Sequence, residues 1–162
     1  MLTKNRSKDK FVFRRKAMPK AVENLILFLF GGVLYSMIEV LARGYTHWSM
    51  TITGGLCLVL LYRHFTARPD DPLLMKCLFG AIVITLMEFI AGCIVNLWLG
   101  WNVWDYSDLM FNLYGQICLP FSVLWFLLTM PVIALTGLFN WRFNEVRRSY
   151  DYLQQNTEQS PA

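Results

Sequence analysis

Residues 31–42, GGVLYSMIEVLA, set a glutamate among residues that are mostly small or apolar. The apolar run around it, from about Leu25 to Ala42, approaches the roughly 20 residues that a bilayer-spanning helix requires. An ionised carboxylate in hydrocarbon costs at least a few kcal/mol, so such a residue is buried, paired or functional rather than turned to lipid. At about 3.6 residues per turn, Gly32, Ser36, Glu39 and Arg43 fall along one side of this helix. The spacing also lets Arg43 pair with Glu39 one turn away. Two readings stay open: an ion pair that merely caps the outer end of a bundle, or a polar face turned into it.

Three further segments extend the pattern, from about Met50 to Tyr62 (the shortest), Leu73 to Leu99 and Ile117 to Phe139. With 56% hydrophobic residues in a chain of 162, the composition is too apolar for an ordinary soluble domain. The pattern predicts an all-α polytopic membrane protein with four transmembrane helices. Its parts are a basic tail at 1–20, a transmembrane domain at 21–141 and a polar tail at 142–162, loosely ordered from Tyr150 onward. The first run is read as an anchor rather than a signal peptide, since no small-residue cleavage pattern follows it.

Basic residues orient the chain. Lys4, Arg6, Lys8, Lys10, Arg14, Arg15, Lys16 and Lys20 precede the first span. Arg63, Arg68 and Lys76 lie between spans two and three, and Arg142, Arg147 and Arg148 follow span four. Arg43 alone lies between spans one and two, and no basic residue separates spans three and four. Short loops rich in Lys and Arg stay cytoplasmic, so both termini are expected inside and the other two loops outside. The net charge of +4 reads as this topology signal and as contact with anionic lipid, not as nucleic-acid binding. Cys57, Cys77, Cys93 and Cys118 lie in or beside spans without a CxxC spacing, so they are expected to pack rather than hold a metal. No cofactor is expected.

Residues 80–91, GAIVITLMEFIA, repeat the opening stretch: Gly31, Ser36, Glu39 and Ala42 fall on Gly80, Thr85, Glu88 and Ala91. Downstream, GLCLVLLY at 55–62 resembles QICLPFSVLW at 116–125, with Cys57 over Cys118. The pattern is that of two helical hairpins, each running in–out–in, related by a parallel repeat. The matching stripe on span three is Ala81, Thr85, Glu88 and Gly92, and small residues with hydroxyls let helices approach and bond. The two stripes are expected to face each other or a shared cavity, bringing Glu39, Glu88, Arg43, Ser36 and Thr85 into one polar site.

The longer second copy carries WNVWDYSDLMFNLYGQICLP at 101–120. Trp98, Trp101 and Trp104 suit the interfacial belt at headgroup depth. Asp105 and Ser107 are short polar residues that cap backbone amides. Asn112 and Gly115 suit a turn before span four. These residues suggest an outer lid of Trp104, Asp105, Tyr106, Ser107 and Asn112, hydrogen-bonded into the Glu39–Arg43 pair. The alternative is an interfacial belt with ordinary caps. This block, with YSMIEV, ARGY and LMEF upstream, resembles the bacterial ABC-transporter type IV permease-like family over roughly residues 28–130. It is also similar to animal four-span membrane proteins. THWSMTITGG stands where the bacterial pattern has Gly-Pro and Pro-Ile-Tyr-Gly.

The resemblance implies a multi-pass protein of the bacterial cytoplasmic membrane, a permease-like transport component. No Gly-rich phosphate loop is present, so ATP hydrolysis would fall to a separate nucleotide-binding subunit. Four helices make a small pathway, which suggests a homo- or hetero-oligomer. The other readings are a non-catalytic scaffold or regulator and, third, an intramembrane lipid-modifying enzyme drawing on Glu39, Glu88, Asp105, His47 and Tyr106. Against the enzyme, the chain has no HExxH, Asp-rich metal motif or nucleophile elbow, and no catalytic residue is assigned.

Overall fold

A computed structural model describes residues 19–159, with side chains described through Leu153. The basic tail expected at 1–20 therefore lies almost wholly outside the described residues. Four helices make up the rest: α1 (Lys20–Arg43), α2 (Trp48–Ala67), α3 (Leu73–Gly92) and α4 (Leu119–Gln159). A single π-helical segment, Cys93–Trp98, prolongs α3. Apart from one isolated bridge between Leu113 and Ile117, the described residues contain no β-pairing.

Three helices are long and apolar enough to cross a membrane: Lys20–Arg43, Leu73–Trp98 and Leu119–Leu153. Helix α2 has the length but is diluted by Ser49, Thr51, Thr53, Arg63, His64 and Thr66. Ser49 and Thr53 are buried where it packs on α1, α3 and α4, whereas Arg63 and Thr66 stand exposed in its last turns. Helix α4 continues well past Phe139, and its helical backbone reaches Gln159 where loose order was expected.

Local signals set the ends. Gly44, in the left-handed region at φ 80°, donates its N–H to the Val40 carbonyl 2.8 Å away and stops α1. His47 starts α2 by accepting the Ser49 amide on Nδ1 at 3.3 Å. Pro72 precedes α3, where a missing N–H costs nothing.

Each hairpin closes through a glycine. A Cβ on Gly31 would lie 2.6 Å from the Leu58 Cβ and 2.8 Å from the Gly54 carbonyl, so only hydrogen fits between α1 and α2. Gly80, its counterpart in the repeat, is likewise pressed against the Thr129 side chain of α4. Helix α1 packs chiefly on α2 and α3 on α4, so the expectation that spans one and three pack face to face is not met. The close approach that glycine permits is spent within each hairpin.

The buried core forms two clusters. The larger joins Tyr35, Leu61, Phe65, Ile84, Trp104 and Trp125, and the smaller joins Leu27, Leu58, Tyr62 and Phe143. Beside the smaller one, Arg147 Nη2 donates to both oxygens of the buried Glu23, at 2.5 and 2.6 Å, tying the start of α1 to the late turns of α4. The α1–α2 and α3–α4 loops share the opposite end, where His47 and Trp48 lie 5.5 and 5.8 Å from the Trp101 ring.

Gly31→Ala is expected to lower stability in detergent by about 1–3 kcal/mol, the usual cost of overpacking against groups that cannot yield. Gly137→Ala is the control: its side chain would meet open space on α4, and the change is expected to be neutral or stabilising.

Candidate intramembrane polar site

The deepest acid is Glu88, on the inner face of α3 and 2% exposed. Its Oε1 accepts the Tyr35 hydroxyl of α1 at 2.6 Å, and its Oε2 accepts the Trp125 indole N–H of α4 at 2.7 Å. The two donor rings stack on each other with centroids 5.6 Å apart. Both rings need a partner for a buried polar atom, and one carboxylate serves both. The hydrogen bonds found for its side chain come from neutral donors.

Glu39 takes the other course. It is buried on α1 and ion-paired with Arg43, and its second oxygen accepts the Thr46 hydroxyl at 2.5 Å. The Arg43 guanidinium also sits 5.4 Å from the Tyr45 ring centroid. The pair is thus closed by the end of its own helix and the turn after it. Glu39 and Glu88 share no hydrogen-bond partner: Arg43 and Thr46 bond Glu39, and Tyr35 and Trp125 bond Glu88, while the Arg43 charge lies near enough to act on Glu88 through space.

The stripe hydroxyls follow the hairpins too. Ser36 bonds Thr51 of α2 at 2.7 Å, and Thr85 bonds Ser122 of α4 at 3.2 Å. Each satisfies a contact to the following helix, so neither faces the other's stripe.

The loop between Trp98 and Leu119 holds itself together. Asp105 Oδ1 accepts the Ser107 amide at 2.9 Å and the Ser107 hydroxyl at 2.5 Å. Those two bonds hold its carboxyl below the usual value of 3.8. Asn112 donates to the carbonyls of Ser107 and Leu109 at 2.9 and 3.0 Å, and accepts the Gly115 amide at 3.2 Å. Gly115 adopts φ 67° with the Asp105 and Ser107 side-chain oxygens packed against it, a place where a side chain has neither the conformation nor the room. These bonds are local, so the expected links from Asp105 and Asn112 into the Glu39–Arg43 pair are replaced by turn-forming ones.

Trp104 and Tyr106 point the other way. Trp104 is 5% exposed and donates its indole N–H to the Gln116 carbonyl at 2.9 Å, whereas Trp98 is 80% exposed. Trp104 is therefore a core residue and not part of an interfacial belt. Tyr106 stacks on Phe121 of α4 at 4.7 Å. Burial pushes its phenol well above the ordinary value, helped by the nearby Glu88 charge and opposed by Arg43.

Two residues overlooked in the sequence anchor the loop. Asn96, in the π-helical segment, donates to the Trp104 carbonyl at 3.0 Å and to Gln116 Oε1 at 2.7 Å, and its Oδ1 accepts the Val103 amide at 2.7 Å. Gln116 completes the set by donating to the Tyr114 carbonyl at 2.8 Å. An asparagine inside the apolar run 73–99 was a legible signal. Tyr35 and Trp125 gave a weaker one, since an aromatic in a span is ordinarily a packing residue.

The family described as putative ABC-transporter type IV matches residues 30–152, well over half of the chain. The chain belongs to this family. The matched stretch runs from mid α1 into the late turns of α4 and includes Glu39, Glu88 and the whole loop between Trp98 and Leu119. With its long apolar helices, membership makes this a membrane protein related to transport. No solved structure matches the chain.

Asn96→Ala and Gln116→Ala are each expected to lower stability by about 1–3 kcal/mol, because each leaves buried partners unpaired. The double variant should cost less than the sum, since the two residues share one network. Thermal unfolding of the four proteins in detergent measures the coupling.

Proposed function

We propose that the chain is a permease-like transport component whose intramembrane polar group is Glu88. In this reading all four helices traverse the bilayer as two in–out–in hairpins. Both termini and the Arg63–Lys76 link lie in the cytoplasm, and the Trp101–Asp108 loop lies outside. The observation that carries the proposal is the setting of Glu88: an acid buried mid-span, bonded to helices of both hairpins by neutral donors.

A carboxyl so held has no bonded cation to cancel its charge when it ionises, and hydrocarbon makes that state costly. A proton or a cationic group arriving at Glu88 relieves the cost, which makes the site selective for such visitors. The outer loop covers it, and its Tyr106 ring stacks on Phe121 of α4. Glu39 and Arg43 act beside it as a fixed outer ion pair rather than as carriers. ATP hydrolysis belongs to a separate nucleotide-binding subunit, as the family description implies.

A second reading, a non-catalytic scaffold, is favoured by one observation: among the described residues, every buried side-chain nitrogen and oxygen has a partner. Thiol accessibility separates the two. With the native cysteines replaced, Thr85→Cys should react with a membrane-impermeant reagent added outside, and faster once Tyr106→Ala removes the ring. Asp108→Cys should react from outside, and Arg68→Cys only after permeabilisation. A position 85 that stays silent in both backgrounds while Asp108→Cys reacts would refute transport past Glu88 and favour the scaffold.

A further inference from the structure

The loop between Trp98 and Leu119 changes character at Asp108. Up to that point it carries Asp105, Ser107 and Asp108; beyond it no Asp, Glu, Lys or Arg occurs until Arg142. The tip that follows presents Met110, Phe111 and Tyr114, which are 71%, 77% and 73% exposed. Phe111 and Tyr114 adopt φ 54° and 52°, a conformation that bulky residues rarely take. The bonds of Asn112 to Ser107, Leu109 and Gly115 hold the turn in which they lie. The outward display of large apolar side chains is thus built into the loop.

Three features decide what covers it. The first is depth. From Leu119 to Trp141, α4 is uncharged, a length of about 34 Å at about 1.5 Å per residue. That is close to the roughly 30 Å of hydrocarbon in a bilayer, which sets Leu119 at its edge. Leu113 donates its N–H to the Ile117 carbonyl at 2.9 Å, pinning the tip beside a residue just ahead of α4. The tip therefore stands at the depth of the headgroup layer, which is only about 5–8 Å thick on each side.

The second is continuity. Leu119, Val123 and Leu127, spaced four apart on α4, are each about half exposed within a stretch apolar enough to span. The tip is joined to this row by residues 115–118 alone. The third is the backbone. Leu109 and Leu113 each have both N–H and carbonyl bonded, and the Tyr114 carbonyl accepts the Gln116 side-chain amide. Non-helical backbone is tolerated at membrane depth when protein supplies its partners. A second copy of the chain fits less well: three large side chains offer on the order of 500 Å², short of the roughly 800 Å² per partner in a stable protein interface.

We propose that residues 109–114 form a lipid anchor. Met110, Phe111 and Tyr114 insert among the headgroups and upper methylenes of the adjoining leaflet, and Asp105 and Asp108 stay in water. With no cation in this loop, the anchor engages lipid through apolar area rather than headgroup charge. It holds on whichever side of the bilayer the loop lies, and whether or not a solute passes Glu88.

Fluorescence quenching of the full chain in phosphatidylcholine vesicles tests it. Dansylalanine is placed at position 111 in one protein and at position 108 in another, so that the native cysteines stay in place. A lipid nitroxide near the top of the acyl chain should quench position 111 several-fold more than position 108, and aqueous iodide should do the reverse. The same label at position 114 repeats the measurement if the protein labelled at 111 fails to fold. Shielding of the tip should persist when the protein is diluted with excess lipid. Iodide quenching at 111 and 114 equal to that at 108 would overturn the proposal. So would shielding that disappears on dilution, since the tip would then be covered by a second copy.

Discussion

The bundle depends on how one carboxylate is accommodated in hydrocarbon. Placing an acid near the middle of a span costs about 2.5–3.5 kcal/mol on insertion scales. Each hydrogen bond to a charged group returns about 1.5–3 kcal/mol, so the two from Tyr35 and Trp125 are of the same order as the cost. Because one donor comes from α1 and the other from α4, Glu88 joins helices that otherwise touch chiefly near one end. The larger core cluster is assembled around this junction, and the loop between Trp98 and Leu119 sits on it through Trp104 and Tyr106.

The two halves use one pattern for two ends. Gly31 and Gly80 each close a hairpin, and Ser36 and Thr85 each bond the helix that follows. At the next repeat-related position the halves part. Arg43 lies one turn beyond Glu39 and neutralises it locally, whereas Gly92 stands one turn beyond Glu88. Gly92 offers no charge, and the Gln116 and Trp104 side chains occupy the space beside it. That absence leaves Glu88 to find partners across the bundle. Together with Tyr35, whose counterpart in the repeat is Ile84, this asymmetry separates a capped acid from one that bridges the hairpins.

Much of the fold was legible because hydropathy and spacing report it directly. The third run, read as Leu73–Leu99, ends one residue beyond the observed helical stretch, and both glutamates of the repeat are buried. The site was legible only in part. Glu39 with Arg43 follows from their spacing, but helical periodicity does not say which neighbouring helix a face meets. The stripes were therefore set against each other when each serves its own hairpin. The donors to Glu88 were hidden because Tyr35 and Trp125 look like packing residues until a partner is placed beside them. The loop between Trp98 and Leu119 was misjudged for a related reason: turn-forming side chains such as Asp105 and Asn112 satisfy their own backbone first, leaving the inward contacts to Trp104, Tyr106 and Gln116.

The central claim is that Glu88 is held jointly by Tyr35 and Trp125, and a double-mutant cycle on stability tests it most directly. Tyr35→Phe keeps the ring and removes one donor, so in the natural background it should cost about 1.5–3 kcal/mol, measured by thermal unfolding in detergent. In a Glu88→Leu background the same change should cost little, because no acid remains to be served. Equal costs in both backgrounds would contradict the account, since Tyr35 would then stabilise the bundle without acting through Glu88.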